Sequence, residues 1–66
     1  MVYHIYAMFV EGSYLVATST DADHGMDLAH RVCSDMGQPP MALAALTPDA
    51  TINGALFDLD ALKKRK

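Results

Sequence analysis

Two runs rich in β-branched and aromatic residues, Val2 to Val10 and Tyr14 to Ser19, flank Glu11-Gly12, and neither run has a polar side. Residues of this kind fit a pleated surface, and glycine supplies the positive φ of a tight reversal. The pair predicts a β-hairpin. Side chains alternate along a strand. Tyr3, Ile5, Ala7 and Phe9 therefore point one way, and Val2, His4, Tyr6, Met8 and Val10 the other. A two-residue turn at Glu11-Gly12 pairs Phe9 with Tyr14, Ala7 with Val16 and Ile5 with Thr18. On the second side it pairs Met8 with Leu15 and Tyr6 with Ala17. A solvated sheet face alternates to polar residues. This ribbon does not, so the rest of the chain, or something outside it, has to shelter two apolar sides.

One segment is clearly a shelter. Ala22, Met26, Ala29, Cys33 and Met36 recur at spacings of three and four, and Leu28 and Val32 widen the stripe. That is one apolar face of an α-helix. Asp23, Asp27, His30, Arg31, Ser34 and Asp35 occupy the opposite side, with Asp27 and Arg31 four apart in the favourable order. Thr20 or Asp21 is placed to cap the N-terminus, Gly37 to take the left-handed position after the last turn, and Pro39-Pro40 to forbid continuation. Gly25 lowers the helix propensity slightly.

After the helix, Met41 to Leu46 reads as a strand, because six residues make a short helix but an ordinary strand. Thr47-Pro48-Asp49 reads as a turn and Asn53-Gly54 as a hairpin-type pair. Ala55 to Leu62 supports two readings. A strand turns Phe57 and Leu59 inward; a terminal helix aligns Leu56, Leu59 and Leu62. The expected fold is a small two-layer α+β unit, β-β-α-β-β or alternatively β-β-α-β-α, with one helix packed on an antiparallel or mixed sheet. Residues 1–62 form a single domain in this reading, and residues 63–66 a basic, disordered C-terminal tail.

With 66 residues, a chain buries only about 60% of its unfolded surface, so a core of this size benefits from a disulfide, a metal or association. The single cysteine, Cys33, excludes an internal disulfide, and no Cys/His cluster has structural zinc spacing. Association remains. At 52% apolar and 20% charged residues the chain is too apolar for a disordered one. The start, Met1-Val2-Tyr3-His4, has no basic n-region, and no apolar run reaches membrane-span length. The lone thiol and five methionines suit a reducing compartment, which predicts a cytoplasmic location. Charge is divided unevenly. Residues 1–62 hold eight acids against a single basic residue, Arg31, and Lys63-Lys64-Arg65-Lys66 follow. The body should repel nucleic acid and anionic lipid, and only the tail could attract them.

Candidate chemistry is sparse. His30 and Cys33 stand three apart on the helix, a spacing that can hold two ligands of one metal or a nucleophile with its base. Cys33 lies on the core-facing stripe, however, which suits a small buried hydrophobe better. Asp58 and Asp60 read as solvated charge. Asp21, Asp23 and Asp27 lack the glycine and distal glutamate of a calcium loop. Tyr3, Tyr6 and Tyr14 could stack bases, but stacking platforms sit in basic grooves, and this body is acidic. No catalytic residue, cofactor or metal is assigned.

The strand-turn-strand-helix opening resembles the start of β-grasp proteins. Small sulfur carriers of that fold act through a Gly-Gly C-terminus; the chain here ends Lys64-Arg65-Lys66, so the resemblance does not imply that activity. The hairpin and Met26-Asp27 are also similar to the small β-grasp subunits of multicomponent aromatic monooxygenases, over less than half of the chain. No site residue follows from it.

The expectation is a non-catalytic interaction protein: a small acidic accessory, regulatory or inhibitor-type module that dimerises or docks on a partner with a basic surface. Tyr6, Met8, Val10 and Leu15 are the candidate contact residues, with Lys63, Lys64, Arg65 and Lys66 as a second set. The alternatives are a weak nucleic-acid binder using that tail and a small metal-binding or enzymatic protein using His30 and Cys33. No membrane partner is expected.

Overall fold

The computed structural model describes residues 1–50, 52, 54 and 56–65. The element order is β1 (Tyr3–Phe9), β2 (Gly12–Ser19), α1 (Ala22–Asp35), β3 (Ala42–Leu46), β4 (Leu56–Phe57) and α2 (Leu59–Lys64). Four strands form one sheet in the order β3-β1-β2-β4. β1 is antiparallel to β2 and β3, whereas β4 runs parallel to β2. The chain is thus a small α+β fold of two layers, a mixed sheet under a helix. Its last segment combines the two sequence readings: a two-residue strand, then a short helix.

The hairpin forms with its faces as expected as far as Leu15 but with a different register. The reversal is at Val10-Glu11, and Phe9 pairs with Gly12, Ala7 with Tyr14 and Tyr6 with Leu15. The slip from the expected pairing is two residues, which preserves the side each residue faces. Next to Ile5 and Tyr6 the register shifts, so that Ile5 pairs with Ala17 and Val16 is the extra residue of a β-bulge. The bulge turns Val16 and Ala17 both toward the helix layer, where Val16 is buried and Ala17 packs against the core. Ala17 therefore leaves the side assigned to it from strict alternation. Val10, expected on the second strand face, sits in the turn and is 89% exposed.

α1 is capped at its start by Asp21, whose carboxylate accepts from the His24 N–H at 3.1 Å. Gly37 ends it at φ 67°, donating to Ser34 O at 3.0 Å while Gln38 N–H donates to Cys33 O at 2.9 Å. Those two bonds satisfy carbonyls that the last turn leaves free. The helix buries Gly25, Ala29 and Cys33 against the sheet. Gly25 explains how the layers come so close: a Cβ there would lie 2.7 Å from Ile5 Cδ1. The core consists of Ile5, Ala7, Phe9, Tyr14, Val16, Ala29, Cys33 and Leu62.

The turn after β3 closes with Ala50 N–H donating to Thr47 O at 3.0 Å. The expected Asn53-Gly54 hairpin includes Asn53, which lies outside the described residues. β4 in any case pairs with β2 rather than returning beside β3. Asp58 caps α2 by accepting from Ala61 N–H at 3.0 Å, and Leu62 is fully buried. The anticipated free tail is different here. Lys63 and Lys64 form the last turn of α2 and Arg65 is held by side chains, while Lys66 lies outside the described residues.

Candidate functional site

Both helices lie on one side of the sheet. α1 packs over β1, β2 and β3, and α2 brings Leu62 into the same cluster as Phe9 and Tyr14. Among the described residues the other side carries no helix. His4, Tyr6 and Met8 from β1 stand there beside Leu46, Ala44 and Ala42 of β3, with Leu15 and Thr18 from β2 and Leu56 from β4. Tyr6, Met8, Leu15, Ala44 and Leu46 are half-buried against one another, and Leu56 is exposed. Tyr6, Leu15, Leu56, Phe57 and Asp58 border a hollow of about 330 Å³. Three of the four expected apolar contact residues, Tyr6, Met8 and Leu15, therefore share one face, and Val10 stands apart at the turn.

No strand residue is Asp, Glu, Lys or Arg. Every charge of the chain is on a helix, a turn or the C-terminal end. The acids of α1, Asp23, Asp27 and Asp35, are exposed on the far side from the helix-free face, and Asp27 pairs with Arg31 at 3.3 Å.

Of the second expected set, the described residues Lys63, Lys64 and Arg65 do not stand together: Lys63 and Lys64 are exposed on α2. Arg65 is drawn inward. Its guanidinium carbon lies 4.0 Å from the centre of the Phe9 ring, its Nε donates to Glu11, and its Nη1 donates to Gln38 Oε1 at 2.6 Å. Gln38 returns two bonds, from Nε2 to Leu62 O at 3.0 Å and to Arg65 O at 2.9 Å, which close the end of α2. Tyr14 O–H donates to the same Glu11 carboxylate at 2.8 Å. The Arg65 hydrogen bond, helped by the Glu11 backbone and Tyr14, holds the Glu11 carboxyl down at about 2. Burial and the Glu11 hydrogen bond push the Tyr14 hydroxyl up. This clasp ties the chain end to the hairpin turn and to the loop after α1. Sequence reasoning missed Glu11 and Gln38, which carry no local signal beyond their polarity. The clasp leaves Lys63 and Lys64 as the exposed cations of α2.

His30, Cys33 and Ser34 line a second cleft, of about 580 Å³, together with Gly37, Gln38, Pro39, Pro40, Ala42 and Leu43. It opens between the last turns of α1 and the start of β3. His30 is exposed, whereas Cys33 is 1% exposed and burial pushes its thiol up. A thiol in that state is a poor nucleophile and a poor metal ligand. Among the described residues no three His, Cys, Asp or Glu side chains converge. Among the described residues no helix is long and apolar enough to cross a membrane.

The chain matches no family model, none of the curated proteins compared with it, and no solved structure.

Proposed function

We propose that this chain is a non-catalytic protein–protein interaction module, a small acidic accessory or regulatory subunit. It docks through the helix-free face of its sheet on a protein that presents an apolar patch rimmed by basic side chains. The observation that carries this reading is the placement of both helices on one side, which leaves Tyr6, Met8, Leu15, Leu46 and Leu56 without a helical layer. Aromatic and Met side chains on a charge-free centre are the composition of interface cores. The polarity of the partner follows from the formal charge of −3 and from Asp58 at the border of the Tyr6–Leu15 hollow. An inhibitor that occupies a basic nucleic-acid-binding surface is one form of this activity.

A photo-crosslinking residue placed at Leu15 in cells making the full chain tests it. The expected product joins position 15 to a Lys/Arg-rich segment of another protein, and it disappears when Tyr6→Glu is added. Adducts that persist with Tyr6→Glu, or none at all, would overturn the reading.

A further inference from the structure

The sheet has two edges, and they are unlike. β4 closes one edge with two residues, followed at once by Asp58 and Asp60. β3 forms the other with five residues, Ala42-Leu43-Ala44-Ala45-Leu46, that contain no charge and no proline. One side of β3 bonds to β1, in regular register from Ala42 opposite Met8 to Leu46 opposite His4. Its other side has no strand beside it among the described residues. An edge of this kind leaves every second N–H and C=O without a ladder partner, and folded proteins usually guard such edges with lysine, proline, a bulge or a cover. β3 has no lysine, proline or bulge within its length, and among the described residues no strand covers its outer side.

We infer that β3 is a self-association edge, and that its occupant is β3 of a second copy of this chain, paired antiparallel about a two-fold axis at Ala44. The sequence of the strand suits that pairing. Around Ala44, Ala42 meets Leu46 of the second copy and Leu43 meets its Ala45, so each leucine opposes an alanine and no two leucines collide. Partners in each pair share a face, as antiparallel pairing requires. A two-fold contact must be complementary to itself, and Ala-Leu-Ala-Ala-Leu read against its own reverse meets that condition.

Charge placement allows it too. α1 packs over β1, β2 and β3, so two copies joined at β3 hold their helix axes roughly 15 Å apart, about two Debye lengths at physiological salt. The 580 Å³ cleft is lined in part by Ala42 and Leu43 of this same strand, which would give the second copy's helix-side residues room to pack. The contact is only about 17 Å long, at the low end of specific interfaces, which places its dissociation constant in the micromolar range.

This inference stands on the edge and not on the helix-free face, so the two fail separately. Sedimentation equilibrium at roughly 100 μM, above a micromolar constant, should give about twice the 7.2 kDa chain mass. Ala44→Lys or Ala44→Glu alone places like charges directly opposite one another at the axis and should give the single-chain mass. An equimolar mixture of those two variants should regain the doubled mass. Leu15→Glu, on the face but away from the edge, should leave the dimer intact. In the unsubstituted chain, amide exchange of residues 42–46 should slow as concentration rises, which needs no variant to fold. A single-chain mass at every concentration, a dimer indifferent to Ala44→Lys, a mixture that does not recover, or a dimer abolished by Leu15→Glu each overturns it.

Discussion

Gly25→Ala opposes two effects of known size. In a solvent-exposed helix interior the exchange stabilises by about 1 kcal/mol, because alanine loses less backbone freedom on folding. At this position the new Cβ would lie 2.7 Å from Ile5 Cδ1, 2.8 Å from Ile5 Cγ1 and 3.1 Å from Ser19 Cβ. Relaxed carbon contacts are about 3.5–4.0 Å. Ile5 has nowhere to go: it is fully buried, and a β-branched side chain is stiff at χ1. Either Ile5 leaves its rotamer or α1 rises off the sheet and loosens Ala29 and Cys33 as well. Overpacking of this kind costs about 1–3 kcal/mol. The steric cost wins, with a net loss of about 1 kcal/mol and a melting temperature lower by about 4–8 °C for a domain this small.

The assay is reversible thermal and urea unfolding of four proteins: the unsubstituted chain, Gly25→Ala, Ile5→Val and the double variant. Ile5→Val alone should cost about 0.5–1.5 kcal/mol through the lost methylene. Added to Gly25→Ala it removes one of the two clashing atoms, so it should cost nothing or stabilise. The coupling between the sites should be about 1 kcal/mol in favour of the double variant. A Gly25→Ala protein that melts above the unsubstituted chain, or additive effects, would refute the close approach of helix and sheet.

Leu62→Ala empties a fully buried site at the docking point of α2 and should cost about 2–5 kcal/mol in chemical denaturation. Glu11→Gln should flatten the acid limb of stability. The Glu11 carboxyl is held down from 4.5 to about 2, so its stabilisation is complete above pH 4.5 and is lost as pH falls from there toward 2. The melting-temperature gap between the unsubstituted chain and the variant should therefore close over that window. Native Cys33, buried and with its thiol pushed up, should react with iodoacetamide about 100-fold slower than in urea, since exposure requires an opening that costs about 3 kcal/mol.

The hairpin and α1 were legible because their signals are local: alternation for the strands, and a cap, a stripe and a stop for Ala22–Asp35. The register was not. Turn composition fits Glu11-Gly12 as well as Val10-Glu11, and the bulge at Val16 is settled by packing under α1. The end of the chain misled for a related reason. Lys63 to Lys66 read as a free basic run because charge is a property of neighbours in sequence. Arg65 is instead held by Phe9, Glu11 and Gln38, which are distant along the chain. The pairing of β4 with β2 joins segments more than forty residues apart, and no pattern within either segment encodes it. The shared face of three apolar side chains was legible. Tyr6, Met8 and Leu15 follow from alternation alone, and a two-residue slip leaves alternation unharmed.

The edge and the face are compatible, and their combination has its own consequence. Four strands about 4.8 Å apart give a face roughly 19 Å wide, narrow for a stable interface. Pairing two copies at β3 would produce one eight-stranded sheet, with both helix-free faces on the same side and about twice the width. A partner patch spanning the seam would gain contacts from both copies, and the second set would bind as a tethered group at high effective concentration. Partner binding should then fall about tenfold or more with either Ala44→Lys or Ala44→Glu alone and recover in their equimolar mixture, measured by calorimetry against the crosslinked partner; the recovery separates lost pairing from the charge that position 44 places on the face. A partner that binds the Ala44→Lys chain as tightly as the unsubstituted one would show that a single copy supplies the whole docking surface.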